Sequence, residues 1–346
     1  MTGLMSGLTQ LAQGVVRSPS RPPVFADIPP ERVDRPFTAA PLVPDRDYFE
    51  VCVERVHLAH GREWLSTFAP LVTALTEFSY DGAHTLVPAV VGPGLLERLG
   101  AGAPPDAVVA GTRVAGPYPV RPGGVAVTVV LHRIEQKQLL TPVLEAVEGV
   151  SSALSLSAGL APFTAVARVL LNGVSALTGG DSPLLGRRDQ FSHTRPGYFA
   201  LLDPDAGYDP AGLWVRQGAL AVRAPDGSFA PLLSADYVLY RVGQVDQAEV
   251  DVAALPLYQA WRLVLQEAAR AHSDGVWESA KVRMSALVAM LYSSPDLTWS
   301  HADALRGEWT ERMKALRAIA ITHSQLSAEA GDTDRIREHA MSVLGL

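Results

Sequence analysis

The sequence predicts an α+β protein: a largely antiparallel, β-rich part over residues 45–250, interrupted by a helical hairpin at 137–180 and followed by an α-helical region over 251–346. Three observations carry this reading. From Tyr48 onward apolar and polar residues alternate, the period of a strand with one buried face. Beyond about Val250 apolar residues recur every three or four positions, the period of an amphipathic helix. Between them, residues 139–180 hold two helically spaced apolar stripes with almost no charge.

Composition sets the frame for these elements. At 346 residues, 48% apolar and 19% charged, the chain is long enough and apolar enough to bury a core without staples. A formal net charge of −7 disfavours nucleic acid and anionic lipid at long range. Only Lys137, Lys281 and Lys314 are lysines among 29 basic residues, which resembles the coding bias of a high-GC bacterium. Cys52 is the only cysteine, so an intramolecular disulfide is impossible and a cytoplasmic location fits. The first sixteen residues have no basic stretch before their mild apolar stripe of Leu4, Leu8, Leu11 and Val15, the reverse of a secretory signal.

Residues 1–44 read as a Pro-rich N-terminal arm. Eight of the 26 prolines fall between Pro19 and Pro44, a density expected to exclude regular structure. Phe25, Ile28, Val33 and Phe37 suggest that the arm lies on a surface. From Tyr48, Phe49, Val51 and Val53 alternate with Glu50, Cys52 and Glu54, and the parity flips before Val56 and Leu58, which predicts a bulge at Glu54 and Arg55. Trp64, Phe68, Leu71, Leu75 and Phe78 have helical spacing and predict a helix ending at Ser79–Gly82, although Pro70 lies inside it. Strands are expected at Thr85–Val91, Ala107–Val114 and Val125–His132, separated by Gly/Pro clusters.

The hairpin follows, with Leu140, Val143, Leu144, Val147 and Leu154 on one stripe and Phe163, Val166, Leu170, Val174 and Leu177 on the next. From Gly197 to Val245 several short strand patterns with a turn at Pro225–Gly227 predict an antiparallel meander. Helices are then expected around Leu257–Ala268, around Trp277–Leu291, from Ser294–Pro295 or Thr298 through Ile319, and around Ile336–Val343.

Two constellations are candidate metal sites. His57, His60 and Glu63 supply two imidazoles and a carboxylate, the donor set of a three-ligand zinc site, but no single strand or helix presents all three to one side. Asp203, Asp205 and Asp209 gather three carboxylates around Gly207 as calcium loops do, yet the twelfth position holds Trp214 where such a loop requires Glu. A Pro/Gly turn explains the same residues. His132 beside Glu135, and His323 on a helical stripe, lack any adjacent nucleophile, and Cys52 reads as a structural thiol. There is no G-x-S-x-G elbow, no G-x-x-x-x-G-K-[ST] phosphate loop and no H-E-x-x-H.

Gly149–Ala167 is nineteen residues without a formal charge. Ser151, Ser152, Ser155, Ser157, Gly159 and Pro162 make it too polar and too broken for a stable span in lipid, so burial against a sheet is expected. The leading functional expectation is a non-enzymatic interaction or assembly protein of a bacterial multi-protein system, with a protein partner or self-association, no nucleic acid and no cofactor. The alternatives are a hydrolase holding zinc or calcium at the sites above, and a membrane-acting effector that uses residues 139–180.

Overall fold

The computed structural model describes residues 23–59, 62–63, 66–92, 107–108, 111–135, 185–189, 195–330 and 341. The expected hairpin at 137–180, the N-terminal stripe and the short last helix around Ile336–Val343 lie outside the described residues, apart from the backbone at Met341. The α+β class holds: antiparallel sheets are followed by helices. The chain divides into two compact units, Met1–Asp246 and Gln247–Leu346.

The first unit is built from β1 (Val24–Ile28), β2 (Tyr48–His57), β3 (Arg62–Glu63), β4 (Ser66–Tyr80), β5 (Ala83–Val91), β6 (Ala107–Val108), β7 (Thr112–Pro119), β8 (Val125–Glu135), β9 (Leu185–Asp189), β10 (Gly197–Leu202), β11 (Leu213–Arg216), β12 (Ala219–Arg223), β13 (Phe229–Pro231) and β14 (Tyr237–Val245). One sheet runs β1-β10-β14-β2, with β6 and β7 both pairing to β2. A second holds β4, β5, β8 and β9, with β3 on β4, and a third is β11-β12-β13.

The alternation of β2 fixes the layers. Phe49, Val51 and Val53 face the second sheet and join Val72, Ala74, Phe78, Val127, Val129 and Leu131 in one core. Phe49 meets Phe78 edge-on at 5.3 Å, a geometry that aromatic quadrupoles favour. On the opposite side of the first sheet, Ile28, Tyr198, Ala200 and Tyr237 pack against Leu213, Val215, Leu220 and Leu232 of the third. The first sheet is thus the middle layer of three.

The bulge expected at Glu54 is present: Leu239 pairs with Arg55 and Tyr240 with Val53, so Glu54 is the extra residue. Three sequence expectations are corrected. The helix expected over 64–78 is, from Ser66 onward, strand β4, paired with β5 and β8 along most of its length. Both of its faces are buried, Val72 and Ala74 on one and Leu71, Thr73 and Leu75 on the other, so apolar residues fall on both parities and mimic a helical period. The meander over 197–245 is broken: β10 pairs directly with β14, while β11–β13 fold away between them as a separate sheet. The prolines of residues 17–44 bracket regular structure without excluding it, since Val24–Ile28 pairs with β10 residue for residue. Val33 bridges Val215 beyond a short 3₁₀ turn, so this stretch does lie on a surface, with Ile28 and Val33 buried.

The second unit contains α1 (Leu257–Ala268), α2 (Asp274–Ser293) and α3 (Trp299–Ala330). Their starts and stops follow from capping chemistry. The Thr298 hydroxyl accepts the His301 amide at 3.1 Å and opens α3, and α2 ends at Ser293, just before the Ser294–Pro295 step that disfavours helical backbone. Trp261 and Trp309 stack at 4.6 Å with rings nearly parallel, at the centre of a core shared by all three helices. Among the described residues no helix is long and apolar enough to cross a membrane.

Candidate functional site

The polar face of β2 carries a dense charge cluster. Because Phe49, Val51 and Val53 are committed to the core, alternation points Glu50, Cys52 and Glu54 the other way, and the bulge flips the parity only beyond Glu54. β14 and β7 flank β2 and supply the cations. Arg241 stands opposite Cys52 in the register on one side and Arg113 opposite it on the other.

Arg241 Nε donates to Glu54 Oε1 at 2.8 Å and its Nη2 to Glu50 Oε1 at 2.6 Å. Arg113 Nε donates to the other Glu50 oxygen at 2.7 Å. Arg241 Nη2 also points at Cys52 Sγ, 3.4 Å away. Glu54 is 4% exposed and Glu50 8%, so neither carboxylate is solvated enough to stand alone. Burial by itself would raise Glu50, but its hydrogen bond and charge contact with Arg241, reinforced by Arg113, hold it below the usual carboxylate value of 4.5. Arg241 is raised: burial opposes its charge, and the bonds to Glu54 and Glu50 outweigh that cost. Burial pushes the Cys52 thiol up to about 12 despite the neighbouring guanidinium, so no thiolate nucleophile exists at neutral pH.

Two glycines make the cluster possible. A Cβ at Gly243 would fall 2.0 Å from Arg241 Nη1, so any side chain there would displace the guanidinium. Gly116, at φ +99°, lets β7 bulge past β2, where a Cβ would meet the Phe49 carbonyl oxygen at 2.5 Å. Beside the cluster lies an open cleft of about 370 Å³ lined by Asp34, Arg35, Glu54, Tyr198, Val215 and Gln217 among others. Tyr198 is raised by burial and then by the Glu54 charge, and so stays a neutral phenol. The cleft can hold a small polar molecule. It presents no imidazole, no free thiolate and no residue paired as nucleophile and base.

The sequence candidates lie elsewhere. His57 ends β2, and its Nε2 sits 3.0 Å from the Leu233 carbonyl, its ring 5.5 Å from Tyr237. His60 and the Glu63 side chain lie outside the described residues. Asp203 accepts the Asp205 amide and Asp209 the Ala211 amide, both at 2.9 Å, so two of the three carboxylates in that loop cap successive 3₁₀ turns, with Gly207 in the left-handed region between them. Among the described residues no three of His, Cys, Asp and Glu are grouped to hold a metal ion. His132 is buried on β8, where burial lowers it to about 4 and its Nε2 has no hydrogen-bond partner.

Sequence reasoning did not assemble the Glu50–Arg241–Glu54 cluster. Its signal was there: three polar residues on the solvent parity of β2, and a lone arginine inside the apolar run Tyr237–Val242. No protein-family model, no curated protein and no solved structure matches this chain.

Proposed function

We propose that this chain is a non-catalytic assembly protein that self-associates through the outer face of α2. The observation that carries this reading is that α2 is apolar on two sides and covered on one. Ala280, Met284, Leu287 and Leu291 fill the core. On the opposite side Val282, Ala286, Ala289 and Met290 form a second stripe at helical spacing that is solvent-exposed, Val282 at 69% and Met290 at 41%. An exposed apolar stripe on a helix that already fills a core with its other side is stabilised when another surface covers it.

The stripe is suited to its own copy. Beyond Lys281 and Arg283, which flank Val282, no charged residue occurs up to Ser294 to select a different partner by charge. In an antiparallel two-fold contact centred on Ala286, Val282 of each copy meets Met290 of the other, and the two alanines allow the helices to approach closely. The buried charge cluster supports the non-catalytic part, because its carboxylates and guanidiniums neutralise one another and its thiol is protonated. Static light scattering over a range of concentrations tests the proposal. The expected mass is a multiple of 36.9 kDa that falls to the monomer in V282D/M290D. A wild-type chain that stays at the monomer mass up to about millimolar concentration, where a 1 mM Kd corresponds to only ~4 kcal/mol of binding, overturns it.

A further inference from the structure

We infer that the outer face of the β11–β13 sheet is a docking surface for an acidic, extended segment of a partner protein. This goes beyond self-association and rests on that reading only in treating the chain as an interaction protein. The inner face of the sheet is buried through Leu213, Val215, Leu220 and Leu232, so alternation sends Trp214, Arg216, Arg223, Phe229 and Pro231 outward. Trp214 and Phe229 lie 5.0 Å apart, and the Arg216 guanidinium sits 4.8 Å from one ring and 4.3 Å from the other. Arg32 reaches the Trp214 ring from the neighbouring 3₁₀ turn, at 5.8 Å.

Among the described residues Arg32, Arg216 and Arg223 form no salt bridge, Arg32 donating instead to the Ala211 carbonyl, while the nearby carboxylates accept backbone amides. Asp34 accepts from Gln217 N, Asp209 from Ala211 N and Asp226 from Ser228 N. A chain of net charge −7 thus shows three guanidiniums outside any described salt bridge on one small face. Stacking on aromatic rings keeps the planar fork of Arg216 aligned for a carboxylate.

The shape of the face selects an extended peptide. Strand geometry repeats same-face side chains about every 6.6 Å, so a segment alternating carboxylates with aromatic or aliphatic residues matches both kinds of group on the sheet. Main-chain strand addition is discouraged at the free edge of β13. Ala224 and Leu232 donate across the ladder to Ser228 and Leu220, which puts residues 229 and 231 on the outward side, where Pro231 has no amide to offer. Recognition therefore falls to side chains. Net negative charge and only three cations make the face a poor track for a nucleic-acid backbone.

Fluorescence anisotropy of a labelled eight-residue peptide alternating Glu and Tyr tests this, with a Lys–Tyr peptide and a twelve-nucleotide oligothymidylate as comparison probes. The expected result is saturable binding of the Glu–Tyr peptide alone, weakened at least about ten-fold in R216A/R223A and several-fold in R223A. Far-UV circular dichroism checks that both variants keep their fold. Equal binding by wild type and R216A/R223A overturns the inference, as does tighter binding of oligothymidylate. A chain that assembles through α2 but ignores the peptide refutes this inference alone.

Discussion

Arg241→Met is the sharpest perturbation of the first unit. Methionine keeps most of the aliphatic stem and removes three charge-assisted contacts, to Glu54, to Glu50 and to Cys52. Glu50 keeps Arg113, but Glu54, 4% exposed, loses its ion-pair partner. Removing one partner of a buried pair costs about 3–5 kcal/mol, far more than an exposed surface pair of ~0–1 kcal/mol. At about 2–4 °C per kcal/mol for a unit of this size, the midpoint falls by roughly 6–20 °C. The pH dependence sharpens the test. In the wild type Glu50 is held below 4.5, so its contribution is complete above that value and is lost as pH falls through the depressed folded value. R241M loses the Arg241 hydrogen bond and charge that help to hold Glu50 down, so this pH-dependent contribution shrinks in the variant. Urea unfolding followed by circular dichroism should therefore show a gap between R241M and wild type that is constant from pH 7 to about 4.5 and narrows as pH falls below 4.5. A gap below about 1 kcal/mol at pH 7, or one that does not narrow, refutes the view that this cluster is a buried, mutually neutralised network.

Further outcomes follow from neighbouring features. G243A forces the guanidinium out of place and should cost about 1–3 kcal/mol, less than additively with R241M in a double-mutant cycle. Cys52, raised to about 12, should resist a thiol reagent in native protein at pH 8 and react on addition of denaturant; prompt native labelling contradicts its burial. His132 has a folded value near 4 against an ordinary 6.5, so the unfolded chain takes up its proton first and about 3 kcal/mol of stability is lost as pH falls from 6.5 to 4. H132L should remove that slope, and an unchanged slope assigns it to other groups. W309A breaks the stack with Trp261 and should destabilise the helical unit by about 3–5 kcal/mol, read as lost ellipticity at 222 nm.

The helical unit was the most legible part of the sequence, because each helix carries an apolar core stripe at helical spacing on which Trp261, Met284 and Trp309 fall. The bulge at Glu54 was equally plain, since a strand that changes parity has to insert a residue. β4 was misread for a physical reason. A strand buried on both faces carries no alternation, and Leu71, Leu75 and Phe78 then sit at helical intervals by accident. Pro70 was the contrary sign. The separation of β11–β13 from β10 and β14 depends on which strands pair across thirty or more residues, and local pattern is silent on that. The charge cluster was hidden for the same reason, its partners Glu50 and Arg241 being 191 positions apart.

Self-association through α2 can be read directly at one position. Cys52 is buried, so V282C places a single reactive thiol at one end of the exposed stripe, where it would face Met290 of the other copy, ready for a dye whose emission reports local polarity. Emission that moves to the blue with rising protein concentration, and stays at its dilute position when M290D is added to the same chain, is the expected result. Emission fixed at the value of a fully hydrated dye across the whole range contradicts a shared interior between copies.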